Sequence, residues 1–304
     1  MIKRAGIIGF GALGILFGSY ISDKLGKENF YVIADGKRCE RYKKEGFYKN
    51  GDFCDMNYVS PEDKISPLDL IIFGVKYGAM EEALKLSESF VNDKTIFVSL
   101  LNGIKSEEDI IEKYGAENVI YSTSQGMDSL KEGNKITYRD MGFLNFGKVG
   151  NVGKEENIAA LKEFFDSISF PYRIPEDMGR ALWGKLLLNT GCNQAAAVFD
   201  CCFDVLQREG RPRDIMIMAM TEVMFVGRAE GIGLDKTDVI YWINVLDGLN
   251  PDGMPSLRQD VLNKRPTEVE LFSGTVNRLG KKHGISTPAN EFLYKEIKKI
   301  EENY

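Results

Sequence analysis

The β-prone run Ile2 to Ile8 passes without a linker into Gly9-Phe10-Gly11-Ala12-Leu13-Gly14, and then into a helical pattern that ends near Gly26. In a strand, turn and helix arranged this way the first glycine permits a tight turn. The second lets backbone approach a pyrophosphate, and the third lets the helix pack on the strand. The helix N-terminus then offers its free N–H groups to phosphate oxygens. Gly9 to Gly14, including Phe10, Ala12 and Leu13, is therefore expected to cradle a dinucleotide. Met-Ile-Lys-Arg before an apolar run also has the outline of a signal peptide. The regularly spaced glycines, followed directly by Asp23 and Lys24, fit a folded element better.

Alternation continues from there, as a parallel sheet with crossover helices requires. A second strand, Phe30 to Ala34, ends at Asp35, about 20 residues past the last glycine, where an acidic side chain bonds the ribose 2′-hydroxyl of NAD. Lys37 and Arg38 follow and could instead pair with the 2′-phosphate of NADP, so the local signals point both ways. Phe47 to Phe53 carries Asn50-Gly51, a two-residue hairpin signal. Asp69 to Val75 and Thr95 to Leu101 read as buried strands, with Lys76 and Asn102-Gly103 at their ends. Side chains at the carboxyl ends of parallel strands line the ligand crevice. Lys76 and Asn102 are thus cofactor or substrate candidates, against a surface lysine and an ordinary Asn-Gly turn. Val119 to Thr123 is a further strand, and Lys135 to Phe146 reads as antiparallel strands completing the sheet. A helix over 154–168 and a strand near 172–174 close the half.

After Pro175 the patterning is helical throughout, which gives two expected domains, 1–174 of Rossmann type and 175–304 all helical, the second with six or seven helices. Its first helix is expected over Met178 to Asp200. There Lys185, Asn189 and Asn193 recur every four residues and share one face, between Leu186 to Leu188 and the apolar run from Ala195. An unpaired buried amide costs roughly 2–7 kcal/mol, so a buried stripe of this kind needs partners, and a polar ligand would supply them. The bland alternative is a stripe facing water. Ser256 heads a helix it could cap. Glu268, after Thr267, could complement a helix dipole in the first turn of a helix reaching His283.

Composition narrows the chemistry. Of 304 residues, 39 are basic and 45 acidic, a net charge of −6 with no basic block, which argues against nucleic acid. Five cysteines without a Cys-x-x-Cys pair fit a reducing cytoplasm, and one histidine leaves no histidine-rich zinc site, so no metal is expected. Acid–base work must fall to Lys, Glu, Asp or Tyr. No membrane partner is expected, and the apolar helical half leaves room for a homodimer interface.

Taken in order, Gly9-x-Gly11-Ala-Leu-Gly14, Val75-Lys76, Leu101-Asn102-Gly103, Trp183-x-Lys185-Leu-x-x-Asn189 with Asn193, Ser256-x-x-Gln-Asp260 and Arg265-Pro-Thr-Glu268 resemble the ketopantoate reductase (2-dehydropantoate 2-reductase) family along nearly the whole chain. The resemblance implies hydride transfer from NADPH to the 2-keto group of ketopantoate, giving pantoate on the route to coenzyme A. It makes Lys185 the general acid and puts Lys76 and Asn102 between nicotinamide and substrate. Asn189 and Asn193 would orient the substrate oxygens, Ser256 would hold its carboxylate, and Glu268 would contact hydroxyl and lysine. Two departures stand out. Asp35 occupies the place where many members carry an arginine, which leaves NADH open beside NADPH, and Phe203 and Gly253 stand where some members use asparagines. A reductase of another small 2-keto acid, or a non-catalytic sensor of nicotinamide redox state, are the competing readings.

Overall fold

A computed structural model describes all 304 residues. The chain divides into two compact units, Met1–Leu101 with Lys105–Met178, and Asn102–Ile104 with Gly179–Tyr304.

The first unit is a doubly wound sheet. Its strands are β1 (Ala5–Ile8), β2 (Phe30–Ile33), β3 (Tyr48–Lys49), β4 (Asp52–Phe53), β5 (Asn57–Val59), β6 (Leu70–Phe73), β7 (Ile96–Ser99), β8 (Val119–Met127), β9 (Leu130–Glu132), β10 (Lys135–Thr137), β11 (Met141–Gly147) and β12 (Tyr172–Arg173). Eight form one sheet in the order β12-β11-β8-β7-β6-β1-β2-β5. The pairs from β8 to β5 are parallel, whereas β11 runs antiparallel to β8. Successive side chains of a strand point to opposite faces, and these strands are apolar on both, as a sheet covered on both sides requires. Ile7, Val32, Leu70, Ile72 and Val98 pack with Ile15, Leu16 and Phe17 of α1 (Ala12–Leu25). Ile8, Ile33, Ile71, Phe73 and Phe97 form the opposite core.

Three more helices serve those cores, beside α2 (Gly36–Glu45). Met80, Ala83 and Leu84 of α3 (Met80–Ser87) and Ile110 of α4 (Ser106–Tyr114) cover the second face, and Leu161, Phe164 and Phe165 of α5 (Glu155–Ser167) the first. The expectation that Lys135 to Phe146 completes the main sheet is corrected in part. β11 does join it, but β10 pairs with β3 and β9 in a separate sheet of order β4-β3-β10-β9. Within that sheet Asn50 and Gly51 make the expected hairpin, at φ 51° and 94°.

The second unit is helical. Following α6 (Met178–Leu188) come α7 (Gln194–Val198), α8 (Phe203–Leu206), α9 (Arg211–Ala229), α10 (Lys236–Asp247), α11 (Ser256–Leu262), α12 (Thr275–His283) and α13 (Pro288–Glu301), more pieces than expected because the short α8 is added and one of the expected helices is split, while two of them carry a π-helical turn. The single helix expected over Met178 to Asp200 is one of them. It holds a π-helical turn at Asn189–Asn193 and ends at Val198. The wide turn carries Gly191, whose added Cβ would lie 2.4 Å from Met220 and 2.9 Å from the Met216 carbonyl, so a side chain there would push α9 away. No helix is long and apolar enough to cross a membrane.

Candidate active site

The dinucleotide cradle begins at Gly9, where φ is +97° and a Cβ would lie 2.5 Å from the backbone of Gly74 and Val75. Only glycine satisfies both conditions. At Gly14 a Cβ would stand 2.1 Å from the Gly9 carbonyl oxygen, so its absence is what lets α1 start this close to β1. Gly11 is exposed, caps α1 with no side-chain hydrogen bond, and has nothing nearer than the Gly74 carbonyl at 3.9 Å. The first-turn N–H groups of α1 are thus left for an outside acceptor. These features fit a bound dinucleotide. Ala12 and Leu13 are half-buried in that turn, whereas the Phe10 ring turns into the core, 4.7 Å edge-on from Phe47. Phe10 can therefore serve a ligand only through its backbone.

Asp35, two residues past β2, caps α2 by accepting from the Arg38 N–H at 2.9 Å. The Arg38 side chain is occupied as well, its Nη1 and Nη2 donating to the two Glu82 oxygens at 2.7 and 3.3 Å. Lys37 and Lys76 are exposed, the latter just before the 3₁₀ turn Tyr77–Ala79.

In the second unit four polar side chains join end to end. Asn193 donates from Nδ2 to Asn189 Oδ1 at 3.2 Å, Asn189 donates to Asn102 Oδ1 at 3.5 Å, and Asn102 donates to Glu268 Oε2 at 2.9 Å. Asn189, Asn193 and Glu268 are 7%, 8% and 8% exposed, so the row is held away from bulk water. Asn102 reaches it across 166 positions of sequence, as part of the short segment that belongs with the helices.

The Glu268 expectation needs correcting in its setting. It does not open a regular helix, but precedes a second π-helical turn, Glu270–Gly274, and α12 begins only at Thr275. Its carbonyl accepts from Leu271 and Phe272, while its carboxylate turns to Asn102. The two π turns are tied together by Gln194, which donates to the Thr190 carbonyl and accepts from the Ser273 N–H. Single π turns inside α-helices recur at functional sites. Sequence reasoning passed over Gln194, which reads there as one polar residue before an alanine run.

Lys185 stands in the last turn of α6, within reach of the Glu268 charge. Burial disfavours its ammonium and pushes the pKa down from the usual lysine range to about 8, against the opposing pull of the Glu268 charge. A lysine so placed holds a transferable proton near neutral pH. Ser256 lies exposed as the first residue of α11, which packs against the Asn189–Asn193 turn; the N-cap position is Pro255, so Ser256 is not the cap that the sequence suggested. Lys185, Asn189, Asn193, Asn102 and Glu268 are thus brought together within one unit. Gly9 to Gly14, Asp35, Lys37, Arg38 and Lys76 belong to the other.

Comparison with known proteins adds the following. Residues 5–151 match the family described as ketopantoate reductase PanE/ApbA, and residues 177–301 match its C-terminal domain. The chain is 28% identical over 246 residues to a 2-dehydropantoate 2-reductase of Vibrio cholerae, covering 80% of this chain and 81% of that protein. It is 25% identical over 304 residues to one of Aquifex aeolicus, covering 98% and 97%. In fold it is similar to a D-mandelate dehydrogenase solved with NADH and anilino(oxo)acetate, with a TM-score of 0.86 at 24% identity over 99% of each chain.

Proposed function

Because this chain belongs to the ketopantoate reductase family and is a nicotinamide-dependent oxidoreductase acting on CH–OH, we propose that it reduces the 2-keto group of ketopantoate to pantoate, with Lys185 as the general acid. The observation that carries this reading is the buried row Asn193, Asn189, Asn102 and Glu268 beside a lysine whose pKa is drawn down to about 8. When bound, the reduced nicotinamide supplies a hydride to the carbonyl carbon. Lys185 Nζ gives a proton to the carbonyl oxygen as negative charge develops there, so the C=O bond becomes CH–OH and the lysine is left neutral. Its charge also stabilises the developing oxyanion, in surroundings dry enough for that to count. Glu268 keeps Lys185 protonated and fixes Asn102. The amides of Asn189 and Asn193 orient substrate oxygens, and the exposed Ser256 hydroxyl takes the carboxylate.

A second reading stays within the reaction class and changes the substrate. Where the family resemblance would put asparagines, the Phe203 ring lies against Gly253, 3.0 Å from where a Cβ on that glycine would be. A ring in place of amide donors favours a 2-keto acid with an apolar substituent over a hydroxylated one. The test is steady-state reduction of ketopantoate and of 2-keto acids with alkyl and aryl substituents, followed at the nicotinamide absorbance. Ketopantoate turning over best, with kcat/KM in the enzymatic range of about 10⁴–10⁸ M⁻¹s⁻¹, supports the first reading. Preference for the apolar acids supports the second. Turnover with none of them, or a Lys185→Ala variant that keeps full activity, overturns the assignment.

A further inference from the structure

Asp35, Arg38 and Glu82 form a closed charge cluster at the edge of the dinucleotide cradle. Arg38 is the residue of this segment best shaped for a phosphate, because its planar fork matches phosphate oxygens in a way a lysine cannot. The structure gives that fork to carboxylates instead. Nη1 and Nη2 donate to Glu82 Oε1 and Oε2 at 2.7 and 3.3 Å, and Nε stands 3.4 Å from Asp35 Oδ2. Each of the three guanidinium nitrogens therefore stands within 3.4 Å of a carboxylate oxygen. The Glu82 hydrogen bond, with the Glu82 and Asp35 charges behind it, favours the positive form against the cost of burial. Lys37 is exposed on the same helix and forms no part of the cluster, and its ammonium is a point charge rather than a fork.

We propose that this chain selects NADH over NADPH, and that Glu82 sets the selectivity together with Asp35 by holding Arg38 away from the ribose 2′ position. The inference rests on the dinucleotide-binding part of the function proposed above and on no particular keto acid. Asp35 lies two residues past β2, as the N-cap of α2, where its carboxylate can accept from a ribose 2′-hydroxyl and repels a 2′-phosphate. Glu82 lies 44 residues downstream of Arg38, in the first turn of α3, and supplies the second carboxylate. An acid beside the ribose is a familiar device. A second acid on another helix that occupies the arginine is the part this structure adds.

Both members of the Arg38–Glu82 pair are more than two-fifths exposed, at 42% and 47%, so removing either leaves the fold intact, which thermal unfolding would verify. The measurement is the dissociation constant of each reduced dinucleotide from the full-length protein without substrate, read by nicotinamide fluorescence. The wild type should bind NADH more tightly than NADPH. Glu82→Gln frees the guanidinium from an exposed ion pair and should tighten NADPH binding by about fivefold, the scale of one such pair, with NADH within twofold. Asp35→Asn keeps an N-cap acceptor for α2, and combined with Glu82→Gln it should add a further gain for NADPH. Arg38→Ala separates the explanations. It should barely change NADPH affinity in the wild type and should erase the gain in the double variant, the coupling that a mutant cycle isolates. Tight NADPH binding by the wild type that Arg38→Ala abolishes would overturn the proposal, because Arg38 would then leave Glu82 for the phosphate. Equal affinities in the wild type, unchanged by Glu82→Gln, would overturn it too. Binding of neither dinucleotide would instead remove the function on which it rests.

Discussion

Glu268→Gln should move the pH limb of reduction downward. Lys185 sits at about 8 because burial lowers it while the Glu268 carboxylate opposes the drop. Glutamine keeps the size of the side chain and an oxygen that can accept the 2.9 Å hydrogen bond from Asn102, but it carries no charge. A carboxylate close to a cation stabilises it by about one pKa unit or more, equivalent to about 1.4 kcal/mol. Loss of that charge should carry Lys185 to about 7 or below. At pH 7.5 a group with a pKa of about 8 is about three-quarters protonated, and one of about 7 only about one-quarter. The acid form would fall about threefold at that pH and recover below pH 6. The assay is kcat/KM for the preferred keto acid between pH 5.5 and 9.5, which reports the free enzyme. The wild-type profile should fall through about 8, and the variant profile about one unit lower. A limb that stays put or moves upward would refute the claim that Glu268 sustains the Lys185 charge. A uniform loss at every pH, with no shift of the limb, would refute it equally and place the part played by the carboxylate somewhere other than in the Lys185 charge.

Other expectations follow from packing and burial. Gly14→Ala would bring a methyl group to 2.1 Å from the Gly9 carbonyl oxygen. It should cost about 1–3 kcal/mol by overpacking, visible as a lower Tm, and should abolish dinucleotide binding. Glu107, 1% exposed in the first turn of α4, accepts from Ser106 Oγ through one oxygen, while the other has no partner, and burial raises its pKa to about 7. The native state therefore holds this proton more tightly than the unfolded chain. The resulting stability is fully present below about pH 4.3 and is lost as pH rises through 7, on the order of 3 kcal/mol in all. Glu107→Gln should flatten the dependence, so urea midpoints at pH 5 and pH 8 should lie closer together than in the wild type, and an unchanged difference would refute the assignment.

What could be read in advance follows the range of the forces involved. Gly9 to Gly14 and Asn50-Gly51 announce their structure because backbone sterics act within a few residues. The apolar strands β1, β6 and β7 announce burial on both faces. Distance along the chain hides the rest. The pairing of β10 with β3 and the Arg38–Glu82 ion pair join segments far apart in sequence, and no local pattern in Met80-Glu-Glu82 singles out that acid. The stripe Lys185, Asn189, Asn193 was legible as a shared face. The π-helical turn beneath it was not, since it depends on how closely α9 approaches Gly191. Glu268 could be picked out, but Asn102 as its partner could not.

The short excursion Asn102–Ile104 bears on how such a chain can be divided. Cutting near residue 175 looks like a clean separation into two cassettes, yet the fragment carrying the helices would lack the amide that meets Asn189 and Glu268. A helical half grafted onto another nucleotide-binding scaffold would need an asparagine returned at the loop after the fifth parallel strand of the host, the place β7 holds here. The unit of inheritance is thus the whole polypeptide, and recombination at the apparent boundary would be expected to yield folded but inactive products.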